Sequence, residues 1–308
     1  MYDLIGDIHG HAGELTALLE LLGYRKSNGV FSHPSRQVIF LGDFIDRGPR
    51  IREVLEIVRP MVLDGKALAV MGNHELNALA YHTPDATAPG EFLRRDLPKN
   101  VKQHSQTMKQ LAPKELELYL DWFSTLPMWL DLPGVRAVHA CWDDTAISAV
   151  EAGLLRRGGI TEGFLHSACL EGGAMFEPVE VLLKGKEILL PDGVTFFDKE
   201  GHERSEVRSR WWLSARGLSY HDYAMQDELE CNHPIPASVI AKAAPYTADA
   251  KPVFVGHYWL SAEKPTILAP NVACVDYSVA KKGMLCAYRW DGEATLSDEK
   301  FVWVKAAT

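Results

Sequence analysis

The chain has no C-x-x-C pair and no C-x5-R loop. Its five cysteines, Cys141, Cys169, Cys231, Cys274 and Cys286, are scattered and odd in number, three of them in apolar surroundings. Buried free thiols in a reducing compartment are therefore expected rather than a disulfide framework, and a cysteine nucleophile is not expected. No apolar run approaches the length of a membrane span, and "MYDLIGDIHG" has neither a basic leader nor a long apolar stretch, so a cytoplasmic, soluble protein with no membrane partner is expected. Basic excess is also missing. The formal net charge is −9, which argues against stable nucleic-acid binding, although a small anionic substrate is allowed if a metal supplies positive charge locally. Low-complexity linkers and internal repeats are absent as well. What is there is an ordinary globular composition, 47% apolar over 308 residues, enough to bury a core.

Short apolar runs recur, each ending in glycine or polar residues: "YDLIGD", "QVIFLGD", "ALAVMGN", "VRAVHAC" and "PVFVGHY". Their length and β-branched content read as buried strands. Helical patterns lie between them. "GELTALLELLGY" places Leu15, Leu18, Leu19 and Leu22 on one face and stops at Gly23; "REVLEIVRPMVLDG" and "PKELELYLDWFSTLP" read likewise. This alternation predicts an α/β architecture. Towards the end, "NVACVDYSV", "GMLCAYRW" and "EKFVWVKA" follow closely without helices and predict an antiparallel meander. Residues 150–250 are glycine-rich and polar, and read as an insertion or cap on a single domain spanning 1–308.

The chemistry sits where the runs end. The first ends in Asp7 and His9, the second in Asp43, Asp46 and Arg47, and the third in Asn73, His74 and Glu75; the fourth carries His139 and the fifth ends in His257. Ligands of α/β sheets bind beyond the carboxyl ends of strands, so five such tips can converge on one site. The gathered donors are carboxylates, imidazoles and one carboxamide, with no thiolate. That mixture suits manganese, iron, zinc or cobalt better than calcium.

"GDIHG", "GDFIDRG" and "GNHE", in this order and each after an apolar run, resemble the signature of the binuclear metallophosphoesterases, in particular the phosphoprotein phosphatase branch that includes Ser/Thr phosphatases and diadenosine tetraphosphatases. The resemblance implies a calcineurin-like sandwich of two mixed β-sheets flanked by helices. It implies two divalent metal ions, manganese being favoured: one on Asp7, His9 and Asp43, the other on Asp43 as a bridge, Asn73, His139 and His257. It further implies attack by a metal-bridging hydroxide, Arg47 and Asn73 on the phosphate, and His74, oriented by Asp46, as general acid. Two departures narrow the branch. Gly256, His257, Tyr258 and Trp259 lack the second histidine of G-H-x-H, which turns the reading away from cyclic-nucleotide phosphodiesterases and nucleases. Ala140 and Cys141 follow His139 where protein phosphatases have H-G-G, and Val272 replaces the tyrosine of their S-A-P-N-Y motif. A phosphomonoesterase of the protein-phosphatase type, acting on a phosphoprotein or nucleotide, is expected first, and a dinucleoside polyphosphate hydrolase second. Arg216, Arg210 and Arg208 are candidates for a second phosphate-binding arginine, the first two preferred. The segment Gly158–Arg216 is expected to cover the metal cleft and set specificity, and Trp211 and Trp212 are expected more often as core than as base-stacking residues.

Overall fold

Val38, Ile39 and Phe40 are fully buried, and so are Leu4 and Ile5. Strands this apolar on both faces belong at the centre of a covered, mainly parallel sheet, and that is where the computed structural model places them. It describes residues 1–197, 201–226 and 228–307. The chain separates into two compact units, 1–183 with 251–308, and 184–250.

The first unit runs β1 (Tyr2–Ile5), α1 (Ala12–Leu21), a hairpin of β2 (Arg25–Ser27) and β3 (Val30–Ser32), β4 (Gln37–Phe40), α2 (Ile51–Leu63), β5 (Ala67–Ala69), α3 (Asn73–His82), α4 (Pro98–Gln110), α5 (Pro113–Phe123), β6 (Trp129–Leu132), β7 (Val135–Val138), α6 (Asp144–Arg157), α7 (Glu162–Cys169) and α8 (Phe176–Lys184). The second unit holds β8 (Glu187–Leu189), β9 (Phe196–Phe197), β10 (Glu203–Arg204), β11 (Glu206–Arg208), α9 (Tyr220–Tyr223) and α10 (Ala237–Ile240). The chain then returns to the first with β12 (Val253–Val255), β13 (Val272–Cys274), β14 (Asp276–Tyr277), β15 (Met284–Trp290) and β16 (Phe301–Lys305).

Two mixed sheets form the first unit, as the resemblance implies. One has the order β14-β15-β1-β4-β5, with β16 on the far edge of β15; the other has the order β13-β12-β7-β6. β1, β4 and β5 are parallel, and so are β7, β12 and β13. The sheets share one core. Leu4, Ile39, Leu41 and Val70 from the first pack with Val135, Ala137, Phe254 and Ala273 from the second. Helix α2 lays Ile51, Val54, Leu55, Val58 and Met61 inward at helical spacing. Burying each such side chain is worth roughly 1.5–3 kcal/mol.

The expected meander is corrected in one place. "NVACVDYSV" is not one strand: β13 pairs parallel with β12 in the second sheet, whereas β14, after Val275, pairs antiparallel with β15 in the first. The run crosses between sheets, and both halves are buried, so its hydrophobicity carries no mark of the crossing. β15 and β16 do pair antiparallel as expected.

Residues 150–183 form helices of the first unit. Within the second unit, Trp211 and Trp212 are buried, and Trp211 packs edge-on to Tyr246. Among the described residues all five cysteines are free, four of them buried, and no helix is long and apolar enough to cross a membrane.

Candidate metal centre

Each donor stands on a turn that sheet geometry forces. β1 and β4 lie side by side, so the turns after them carry Asp7, His9 and Asp43 to one edge. β5 leads through Gly72 into α3, whose first residues are Asn73 and His74. β7 and β12 are neighbours in the second sheet, and their ends deliver His139 and His257. His9, Asp43, Asp46, Arg47, His257 and Trp259 all have positive φ, between 44° and 70°, six of the nine described non-glycine residues that do. Such conformations cost of order 1–3 kcal/mol each and persist where surroundings over-determine them. Backbone strain is therefore concentrated on these turns.

Two glycines matter for space rather than for φ. A Cβ on Gly72 would stand 2.2 Å from Asp43 Oδ1, and one on Gly256 would stand 2.2 Å from Asp7 Oδ1. Both carboxylates lie directly on glycine backbone.

The donors converge in two triads that share Asp43. The ligand atoms of His9, Asp43 and His74 lie within 4.8 Å of one another, and so do those of Asp43, His139 and His257. Asp43 Oδ2 is 3.5 Å from His9 Nε2 and 3.5 Å from His139 Nε2. His139 Nε2 and His257 Nδ1 face Asn73 Oδ1 at 3.0 and 2.8 Å. Asp7 adjoins them, accepting from the His257 backbone N–H at 3.1 Å. His74 stands in the first triad where the resemblance places Asp7, its Nε2 3.9 Å from Asp43 Oδ2.

Tautomers are set from behind. His9 Nδ1 donates to the Ile45 carbonyl at 2.8 Å and His139 Nδ1 donates to the Leu41 carbonyl at 2.6 Å. This turns both Nε2 atoms into the cluster. His9 Nε2 is buried and makes no hydrogen bond. Burial, with His74 beside it, pushes the His9 pKa down to about 3, so its imidazole is neutral. Burial also disfavours a charged His139, yet Asp43 and then Asp7 outweigh it and push His139 up to about 10. Burial works against the Asp43 carboxylate too, but His139 and His74 hold it well below its ordinary range. Burial, then Asp276, raises Asp7. The centre is thus a buried set of carboxylate oxygens and imidazole nitrogens, facing one another, in which a proton on His139 supplies the positive charge that Asp43 calls for. Divalent cations satisfy that demand, and the donor set fits them.

A second layer orients His74. Its Nδ1 donates to Asp46 Oδ2 at 2.6 Å. Asp46 Oδ1 accepts from His104 Nδ1 at 2.9 Å and from Thr107 Oγ1 at 2.5 Å. Burial opposes the Asp46 charge, but the hydrogen bonds from His104 and His74 hold its pKa below the carboxylate range. Gln103 Nε2 lies 3.2 Å from His74 Nδ1, and Arg94 Nη2 donates to Gln103 Oε1 at 2.7 Å, fixing which end of the amide faces the imidazole. Glu75 is buried and accepts from the backbone N–H groups of Gly72, Asp43 and Phe44, stapling two site turns. Sequence reasoning missed His104, Thr107, Gln103 and Arg94. The sequence offers only their helical spacing, Asn100, His104 and Thr107 on one face of α4; that this polar face is buried is visible only in the fold.

Arg47 is half-buried, its guanidinium stacked on the Trp259 ring at 3.9 Å. Arg210, Arg208 and Arg216 belong to the second unit; Arg216 is exposed, and Arg208 pairs with Glu187 at 3.5 Å.

Known proteins resemble this chain in sequence and in fold. The asymmetrical bis(5'-nucleosyl)-tetraphosphatase PrpE of Bacillus subtilis is 37% identical over 123 residues, 36% of this chain and 50% of that protein. The corresponding protein of Oceanobacillus iheyensis is 30% identical over 139 residues, 45% of this chain and 54% of that protein. The chain thus spans about half the length of these curated relatives. Among solved structures, a mutant of a cold-active protein tyrosine phosphatase superposes with a TM-score of 0.52 at 16% identity, over 99% of this chain and 80% of that one. A protein serine/threonine phosphatase from Saccharomyces cerevisiae gives 0.51 at 12% identity, over 100% and 79%. At such identities these likenesses show the fold alone. The model of the calcineurin-like phosphoesterases matches residues 2–216, which hold every motif of the centre except His257. The chain belongs to the calcineurin-like phosphoesterase family, metal-dependent hydrolases of phosphoric esters.

Proposed function

We propose that the chain is a phosphatase that removes a phosphoryl group from a phosphomonoester, using two divalent cations held by Asp7, His9, Asp43, Asn73, His139 and His257, manganese favoured. When bound, the cations would acidify a water and neutralise charge on the phosphoryl oxygens. Asp43, common to both donor triads, is the observation that carries the reading.

The remaining roles belong to the chain's own side chains. Arg47 grips a phosphate oxygen through its planar fork, and its stack on Trp259 limits how far it can swing. Asn73 adds its carboxamide beside it. His74 gives a proton to the leaving oxygen, and Asp46 supports the imidazolium before that transfer. Since Asp46 also binds His104 and Thr107, the acid is held on a fixed bearing. Arg210 and Arg216 are proposed further phosphate contacts, in a segment proposed to set specificity. Alanine at the right one should lower kcat/KM about 10–100-fold, the loss of one charged contact.

A second reading, hydrolysis of dinucleoside polyphosphates, is favoured by the names of the relatives. Parallel kinetics on phosphopeptides, nucleoside monophosphates and diadenosine tetraphosphate with manganese decide between them. A higher kcat/KM on the monoesters supports the first reading. Preference for diadenosine tetraphosphate supports the second, and no turnover of any of them overturns both.

A further inference from the structure

Behind His74 the polar contacts run one residue further than Asp46 and His104. His104 turns its Nδ1 to Asp46 Oδ1 at 2.9 Å, and its other ring nitrogen, Nε2, lies 3.3 Å from His82 Nε2. His82 is the last residue of α3. That helix therefore begins at the centre, with Asn73 and His74, and ends behind it, where α4 brings His104 against His82. The two imidazoles meet edge to face, and Tyr81 lies against both rings. His104 is buried and His82 is half-buried.

Two imidazole nitrogens at that distance share one proton, one donating and the other accepting. Asp46 is held ionised, so its oxygens only accept, and the His104 Nδ1 beside it carries a proton. A second proton, on His104 Nε2, would make His104 an imidazolium. The single charge of Asp46 would then be taken up by His104 instead of by His74. A proton given from His82 Nε2 into the same nitrogen leaves His104 neutral.

The surroundings favour the second arrangement. Burial disfavours a charged imidazole, and His104 is only 4% exposed. Thr107 Oγ1 already donates to the same Asp46 oxygen at 2.5 Å, so a neutral His104 completes its hydrogen bonding without adding charge. Asp96, from the loop before α4, attracts a proton towards His82, and Glu117 and Asp121 of α5 line a groove with it. Burial and then His104 outweigh Asp96 and push His82 down to about 4, so it is neutral, with one N–H to give.

We propose that His82 is a positioning residue: its Nε2–H donates to His104 Nε2, which keeps His104 neutral and leaves the charge of Asp46 to His74. The proposal rests on the reading of His74 as proton donor and names a residue that sustains it from outside the centre. Imidazole nitrogen NMR of the full chain loaded with zinc, which is diamagnetic, reads the proton on each ring nitrogen, and the His104→Gln spectrum identifies the His104 signals by their loss. At neutral pH, His104 is expected to be neutral with its proton on Nδ1, and His82 to carry its proton on Nε2. His82→Glu puts an acceptor in place of the donor. It should turn His104 into an imidazolium and lower kcat about 10-fold on substrates with poor leaving groups, with KM and metal content unchanged. His82→Lys, which donates and cannot accept, should leave His104 neutral and kcat near that of the wild type. A wild-type His104 imidazolium, or one and the same His104 state in both variants, would overturn the proposal. A changed His104 with equal kcat in the two variants would overturn it as well. Because the His104 proton is read without substrate, this outcome is separate from that of the phosphoesterase reading, which fails if wild-type protein turns over no phosphate ester.

Discussion

At Asp43 one buried carboxylate faces two imidazoles with one oxygen and accepts the His74 backbone N–H at 3.0 Å with the other. Asp43→Asn keeps the shape but removes the charge that both triads share. Its bound manganese should fall below one ion per chain by elemental analysis, and nearly all activity should be lost. His74 tests a different role. Its contact with Asp46 makes it an oriented proton donor, while its distance to Asp43 also allows it to be a ligand. His74→Ala should lower kcat about 10²–10⁴-fold on substrates with poor leaving groups. The loss on p-nitrophenyl phosphate, whose leaving group needs no proton, should be much smaller, with metal content unchanged. Equal losses on the two substrates, or a lost metal, would make His74 a ligand or a phosphate contact instead.

Helix α4 has one polar face, and that face holds the second layer together. Removing His104 leaves Asp46 Oδ1 one donor short inside the protein, which costs about 1–3 kcal/mol. His104→Ala should therefore lower the denaturation midpoint, and should reduce kcat about 10–100-fold, as is usual for partners that orient active groups. A stability loss with kcat untouched would reduce His104 to a structural part. The strand tips were legible in the sequence because apolar runs ending in Asp7, His9, Asp43 and Asn73 have few other readings. Helix α4 was not. Asn100, His104 and Thr107 look like one side of a solvated helix until the fold shows which side faces Asp46. Gly72 and Gly256 stand at the ends of apolar runs, and nothing local shows that they allow the close approach of Asp43 and Asp7, a contact between segments distant in sequence. The change of sheet at Val275 was hidden for a similar reason, since partner strands leave no local trace when both halves are buried.

For the first unit as a whole, the centre joins turns from both sheets, so cations there should act as cross-links that only the folded chain provides. Ligands that bind only the native state stabilise it by mass action, ~2.7 kcal/mol at a hundredfold excess over Kd. Chelation should lower Tm by about 5 °C or more, and manganese should restore it. An unchanged Tm would mean that the donors are fully satisfied without cations. The proposed chemistry requires two cations sharing Asp43. Anomalous difference maps collected at the manganese edge from manganese-saturated crystals test it most directly. Two peaks flanking the Asp43 carboxylate are expected, one beside His9 and the other beside His139 and His257. A single peak, or none, would contradict it.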